Sequence, residues 1–160
     1  MTYLNKMMET RCNNIVKFFK MDDRAIIPCY QTEKSSGFDF CALESKVIGF
    51  NKTVLIRTGL AVELPANTEL QIRARSGLSL KTGLRIANSP GTIDEDYRGE
   101  IQIIVENVRF NPLIINAGDR IAQGVIQNVM RPLLICCNKL SDTKRGDGGM
   151  GHTGLKSQSC

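Results

Sequence analysis

Leu84-Arg85-Ile86-Ala87-Asn88-Ser89-Pro90, then Gly91-Thr92-Ile93-Asp94-Glu95-Asp96-Tyr97-Arg98-Gly99-Glu100, then Ile101-Gln102-Ile103-Ile104-Val105-Glu106: these three consecutive runs decide how the chain is read. The first is extended and ends on proline, and the last is a largely buried strand. The charged decapeptide between them is therefore predicted to be the tight turn of a β-hairpin. A turn that only reverses the chain needs glycine, asparagine or aspartate. Three acids, a tyrosine and an arginine exceed that need, and the surplus suits a polar ligand. On this stretch alone a bland alternative stands level with it: Asp94, Glu95 and Asp96 solvated, Tyr97 covering apolar neighbours, Arg98 paired with an adjacent acid.

Two other segments shift the balance. Gln71-Ile72-Arg73-Ala74-Arg75 alternates as a half-buried strand does and delivers Arg75 to its end. After it, residues 76–83 form a tight turn with a brief helical piece, which leaves backbone N–H groups and the Ser76 hydroxyl, beside Gly77, free for an anion. Ser-Gly turns are common, so this signal is weak by itself. The second segment is the tail Arg145-Gly146-Asp147-Gly148-Gly149-Met150-Gly151-His152-Thr153-Gly154, where one guanidinium fork and many backbone N–H groups can wrap an anion. Its bland alternative is a floppy terminus.

The remaining chain reads as short strands. Residues 15–20 look like a first strand and 25–28 a second extended piece. Residues 52–57 and 60–65 are two strands separated by Thr58-Gly59, and 113–115 and 121–126 form a strand–turn–strand around Asn116-Ala117-Gly118-Asp119-Arg120. Residues 131–137 supply a last strand. Eight to ten strands with Gly, Pro or Asn turns and no strong helix predict an all-β sandwich or barrel. Within the apolar run 36–42 stands Asp39, and a charge there is costly unless paired. It is either an anchor for a neighbouring backbone or arginine, or part of a metal and phosphate site. Residues 1–14 carry a weak helical stripe of Leu4, Met8 and Cys12 and read as a flexible extension, 15–138 as the β domain, and 139–160 as a mobile polar tail that closes as a lid.

Composition narrows the class. With 160 residues and 42% hydrophobic content the chain suits one packed domain, and 6% aromatics without Trp imply an aliphatic core. No membrane span or signal peptide is apparent, so a soluble intracellular protein is expected. The net charge of +5 and pI near 9.0 would suit a polyanion, yet the cations are scattered, so nucleic acid is not required. Six cysteines (Cys12, Cys29, Cys41, Cys136, Cys137, Cys160) and one histidine lack zinc-site spacing. Cys29, Cys41, Cys136 and Cys137 are expected to be free, small, buried hydrophobes.

Five segments, 36–42, 75–79, 88–100, 118–123 and 145–154, together resemble the five ordered motifs of the trimeric dUTP diphosphatases, the dUTPases, over about residues 25–154. The resemblance implies a jelly-roll subunit, a homotrimer with active sites shared between chains, and hydrolysis of dUTP to dUMP and pyrophosphate. That activity limits dUTP for DNA synthesis and supplies dUMP for dTMP synthesis. By the same resemblance Asp94 activates the attacking water, Tyr97 lies against the deoxyribose and excludes a 2′-hydroxyl, and Asn88 with Gly91, Thr92 and Ile93 reads uracil. Arg75, Ser76, Gly77 and Gln123 hold the α and β phosphates. Arg145, Gly148, Gly149, Met150, Gly151, His152 and Thr153 close on the γ-phosphate. Mg2+ is implied with the substrate phosphates, Asp39 touching its water shell. Two positions depart from the family: Met150 stands where phenylalanine is usual and gives up ring stacking, and His152 stands where serine is common. The alternatives are a dCTP deaminase-like or bifunctional enzyme of the same fold, or a nucleotide- or nucleic-acid-binding regulator without catalysis.

Overall fold

In strand β7 (Thr68–Arg73) Thr68, Leu70 and Ile72 are buried while Glu69, Gln71 and Arg73 are half-exposed. This is the period of a sheet with one face on a core. β7 lies in a five-stranded sheet ordered β2 (Cys29–Tyr30), β3 (Phe38–Cys41), β12 (Arg120–Asn128), β7, β9 (Gly91–Ile93). A three-stranded sheet is ordered β5 (Thr53–Arg57), β10 (Gln102–Asn107), β8 (Leu84–Ile86). Two strand pairs complete it, β1 (Lys17–Lys20) with β6 (Leu60–Glu63) and β4 (Lys46–Ile48) with β11 (Leu113–Ile115). All pairings are antiparallel. The computed structural model describes residues 15–150, so the Leu4, Met8 and Cys12 stripe lies outside the described residues. The architecture is the expected all-β, jelly-roll-like one, with twelve short strands and one helix, α1 (Ser76–Thr82), among the described residues.

The hairpin is correct in its arms and wrong in its turn. β8 and β10 pair as predicted, with Ile86 opposite Val105 and Leu84 opposite Asn107. Gly91–Ile93, however, leaves that sheet and pairs with β7, Gly91 opposite Ile72 and Ile93 opposite Leu70. Gly91 permits this close approach: a Cβ there would lie 3.3 Å from Asn88 Nδ2 and 3.4 Å from Ile72 Cβ. Only residues 94–100 are left to turn the chain. Residues 113–126 behave likewise. β11 joins β4 while β12 joins β3 and β7, so the Asn116–Asp119 turn steps between sheets.

The core holds Phe40, Ile48, Ile56, Leu70, Ile101, Ile103, Val105 and Ile121, none more than 1% exposed. It is aliphatic except where Phe18, Phe38 and Phe40 meet edge to face, with centroids 5.6 to 6.1 Å apart. No strand forms at 25–28; the short edge strand follows at Cys29–Tyr30. The cysteine expectation needs correction as well: the four described thiols are free, but Cys29, Cys136 and Cys137 are exposed and Cys41 only half-buried. Burial pushes the Cys41 thiol up, which disfavours a thiolate nucleophile. Among the described residues no helix is long and apolar enough to cross a membrane.

Contacts divide the chain after Met130. Residues 131–150, taken by themselves, contain no strand, so the predicted last strand at 131–137 is absent. Within these residues no second strand supplies a ladder, and Leu133, Leu134 and Ile135 are 77 to 89% exposed. β-propensity alone does not make a strand without a partner.

Candidate active site

One cluster is built where β3, β12 and β7 lie side by side. Asp39, Gln123 and Arg73 face one another in register across the three strands. Asp39 is 9% exposed, and its two oxygens are taken by two arginines: Oδ1 lies 3.1 Å from Arg75 Nε and Oδ2 3.0 Å from Arg120 Nη1. Arg75 Nη1 also donates to the Arg120 carbonyl at 2.7 Å. The arginine-anchor reading of Asp39 is thus realised, and it satisfies a carboxylate that would otherwise be buried at a cost of several kcal/mol. Two cations on one carboxylate leave a net positive spot. Gln123 Nε2 donates to the Ala74 carbonyl at 2.8 Å. Arg120 was missed as a functional candidate, although an acid inside an apolar strand called for an arginine partner.

Helix α1 starts beside this cluster. Arg75 is its N-cap in an extended conformation, with no side-chain cap and no acid in the first turn. The leading N–H groups are therefore not capped by a side chain, and Ser76 and Gly77 are exposed. Gly83 ends the helix at φ 78°, the left-handed conformation glycine adopts without strain.

The second cluster is the turn after β9. Its surplus charge divides into two groups. Arg98 Nη1 donates to the carbonyls of Glu95 and Tyr97 at 2.7 and 3.0 Å, not to an adjacent carboxylate, and Glu95 Oε2 accepts the Asn67 N–H at 2.9 Å. Glu100 accepts from Arg57 Nε at 3.1 Å and from the Gly59 N–H at 2.8 Å. Burial pushes the Glu100 carboxyl up, but the Gly59 N–H and the Arg57 and Gln102 side chains outweigh it and hold its pKa below the usual carboxylate value. These three residues build the turn. Asp94 is different: it is exposed, and its carboxylate has no hydrogen-bond or ion-pair partner among the described residues. Tyr97 donates its N–H to the Asp94 carbonyl at 3.2 Å and its hydroxyl to the Glu100 carbonyl at 3.0 Å, with the residue 42% exposed. Asn88 and Thr92 are exposed and Ile93 half-buried, all next to Gly91.

The two clusters are not together. Ile93 sits opposite Leu70, five residues before Arg75 on the same extended run, which is about 16 Å at strand rise. Asp94 lies beyond Ile93, further still from Arg75 and Gln123. In the tail, Arg145 Nε donates to the Gly148 carbonyl at 2.7 Å and the Gly148 N–H to the Arg145 carbonyl at 3.1 Å, which closes a small turn before Gly149. Met150 is fully exposed. Gly151, His152 and Thr153 lie outside the described residues.

Residues 23–154 match the dUTPase family model. The chain belongs to the dUTPase family. Among its relatives is the deoxyuridine 5′-triphosphate nucleotidohydrolase of Helicobacter pylori strain J99, 46% identical over 140 residues that cover 88% of this chain and 97% of that protein. Among solved dUTPase structures, a mutant dUTPase of Staphylococcus bacteriophage 80alpha with dUpNHpp superposes with a TM-score of 0.82 at 25% identity, covering 89% of this chain and 99% of that one. A mutant dUTPase from phage phi11 of S. aureus, described for its coordination of a structural Mg(II) ion, has a TM-score of 0.73 at 25% identity, covering 79% and 98%.

Proposed function

We propose that the chain hydrolyses dUTP to dUMP and pyrophosphate at sites assembled between copies of itself, most simply a homotrimer. The observation that carries this reading is the separation described above. An anion cradle of Arg75, Arg120 and Gln123 stands past the Arg73 end of β7, and the partnerless Asp94 follows Ile93, toward the Thr68 end. A triphosphate held by the first reaches the second only on a neighbouring chain. The exposed apolar run Leu133, Leu134 and Ile135 fits the same picture, because it needs a strand partner and finds none in its own unit.

Asp94 orients a water in line with the α-phosphorus and takes its proton as the oxygen–phosphorus bond forms; the pyrophosphate leaves with the electron pair of the bond that breaks. Asn88 and the β9 backbone of Gly91, Thr92 and Ile93 read the base edge, and the Tyr97 ring packs on the deoxyribose. Arg75, with Ser76, Gly77 and Gln123, holds the α and β phosphates. The tail from Arg145 through Gly148, Gly149, Met150, Gly151, His152 and Thr153 closes over the γ-phosphate. This divides the chain functionally into an extension at 1–14, a catalytic β domain at 15–138 and a closing tail at 139–160.

Among the described residues no group of three or more His, Cys, Asp or Glu side chains could hold a metal ion, and both Asp39 oxygens are engaged by arginine. Mg2+ would therefore be held through the substrate phosphates, and Asp39 is the acid that would face its waters. Bound in this way, the ion neutralises phosphate charge. The four free thiols fit a reducing, intracellular compartment.

The test is pyrophosphate release from dUTP, UTP, dTTP and dCTP, with and without Mg2+, for the wild type and Asp94→Asn. Release from dUTP alone, lowered about 10²- to 10⁴-fold in the variant with analogue binding retained, is expected. Ammonia from dCTP would indicate the deaminase instead, and binding without turnover a regulator.

A further inference from the structure

We infer that Gly37 is a positioning residue for the Gln123 amide, and through it for the phosphates that the proposed reaction needs held. Gly37 is half-buried just before β3, two residues ahead of Asp39 and on the same face. Its φ is not in the left-handed region, where Gly59, Gly83, Gly118 and Gly146 lie, so backbone freedom is not the reason for glycine here. Space is the reason: a Cβ at Gly37 would stand 2.8 Å from Gln123 Oε1, 3.1 Å from the Gly124 carbonyl oxygen and 3.3 Å from Val125 Cγ2.

The Gln123 amide is held at its nitrogen and given room at its oxygen. Its nitrogen donates one hydrogen to the Ala74 carbonyl at 2.8 Å, and its oxygen occupies the room that Gly37 leaves open. The carbonyl at Ala74 fixes which end is which, because Oε1 turned toward it would meet a second acceptor. One amide N–H is then left unspent beside Arg75, whose guanidinium is pinned next to Asp39. An amide that presents its N–H attracts a phosphate oxygen, and one that presents its carbonyl repels it. Gly37 therefore leaves the amide the room to keep that orientation, without touching substrate.

The experiment measures dUTP turnover by Gly37→Ala, Gln123→Ala and the double variant, alongside thermal melting. Gly37→Ala raises KM about tenfold, the loss of one hydrogen bond to a charged group, and leaves kcat within about twofold. Gln123→Ala does the same, and the double variant matches Gln123→Ala because no amide remains to displace. An unchanged KM in Gly37→Ala, or a double variant whose effect is the product of the two singles, overturns the inference. If Gly37→Ala does not fold, a double variant that folds and matches Gln123→Ala supports it; a double variant that also fails locates the clash at the Gly124 carbonyl and overturns it. Wild-type turnover, measured first, separates this from failure of the hydrolase reading. Should wild type release no pyrophosphate, the same variants compared for tripolyphosphate binding by calorimetry are expected to show the same order.

Discussion

If the site is shared as proposed, refolding equal amounts of Asp94→Asn and Arg75→Ala chains together is expected to restore activity that neither has alone. Each variant damages one of two clusters that lie about 16 Å or more apart along β7, so a site built across a subunit boundary takes its Asp94 from one chain and its Arg75 from the next. In a ring of three randomly mixed chains each such ordered pair is intact with a chance of about one half times one half, so about a quarter of wild-type activity returns. The structure also indicates that both variants fold. Asp94 is exposed and has no partner to lose, and Asp39 keeps its 3.0 Å bond to Arg120 when Arg75 is truncated. Steady-state pyrophosphate release reads the result, with native mass spectrometry to count mixed assemblies. Activity that stays at the mean of the two parents, in a sample shown to contain mixed trimers, would mean that each chain carries a complete site, and the shared-site reasoning would fail.

Other consequences are open to simpler measurements. Glu100 has a folded pKa held below its unfolded value, so its contribution is present above the unfolded pKa and is lost as pH falls through the folded one. Glu100→Gln should therefore cost about 1–2 kcal/mol at pH 7, and the difference from wild type should shrink below about pH 4; a gap that widens in acid contradicts the assignment. A chain ending at Thr143 should melt as the full chain does yet show a raised KM for dUTP, whereas unchanged kinetics would leave the tail without a role. Gly124→Ala places a Cβ 2.6 Å from a Phe38 ring carbon, 2.7 Å from Phe40 and 2.8 Å from Leu70. Overpacking of this kind costs about 1–3 kcal/mol, visible as a lower melting temperature, and no change would show that the rings move aside cheaply.

Local pattern in the amino-acid sequence already determined much of this protein. Alternation along Gln71 to Arg73 is realised in β7, the brief helical piece after Arg75 is α1, and the lone acid in an apolar run, Asp39, has its arginine. The family motifs were legible because five short segments, weak singly, stand together in one order. Tertiary structure alone decided the rest. Gly91–Ile93 pairs with β7 instead of tightening a hairpin, Arg120 arrives as the second guanidinium on Asp39, residues 131–137 form no strand, and Gly37 and Gly124 are small because of what lies across from them. The physical reason is range: side-chain periodicity records which face of a segment is dry, whereas pairing partners and close approaches belong to residues tens of positions away. Asp94 and Arg75 are the sharpest case, for they look like members of one site along the chain and are held apart by the strand between them.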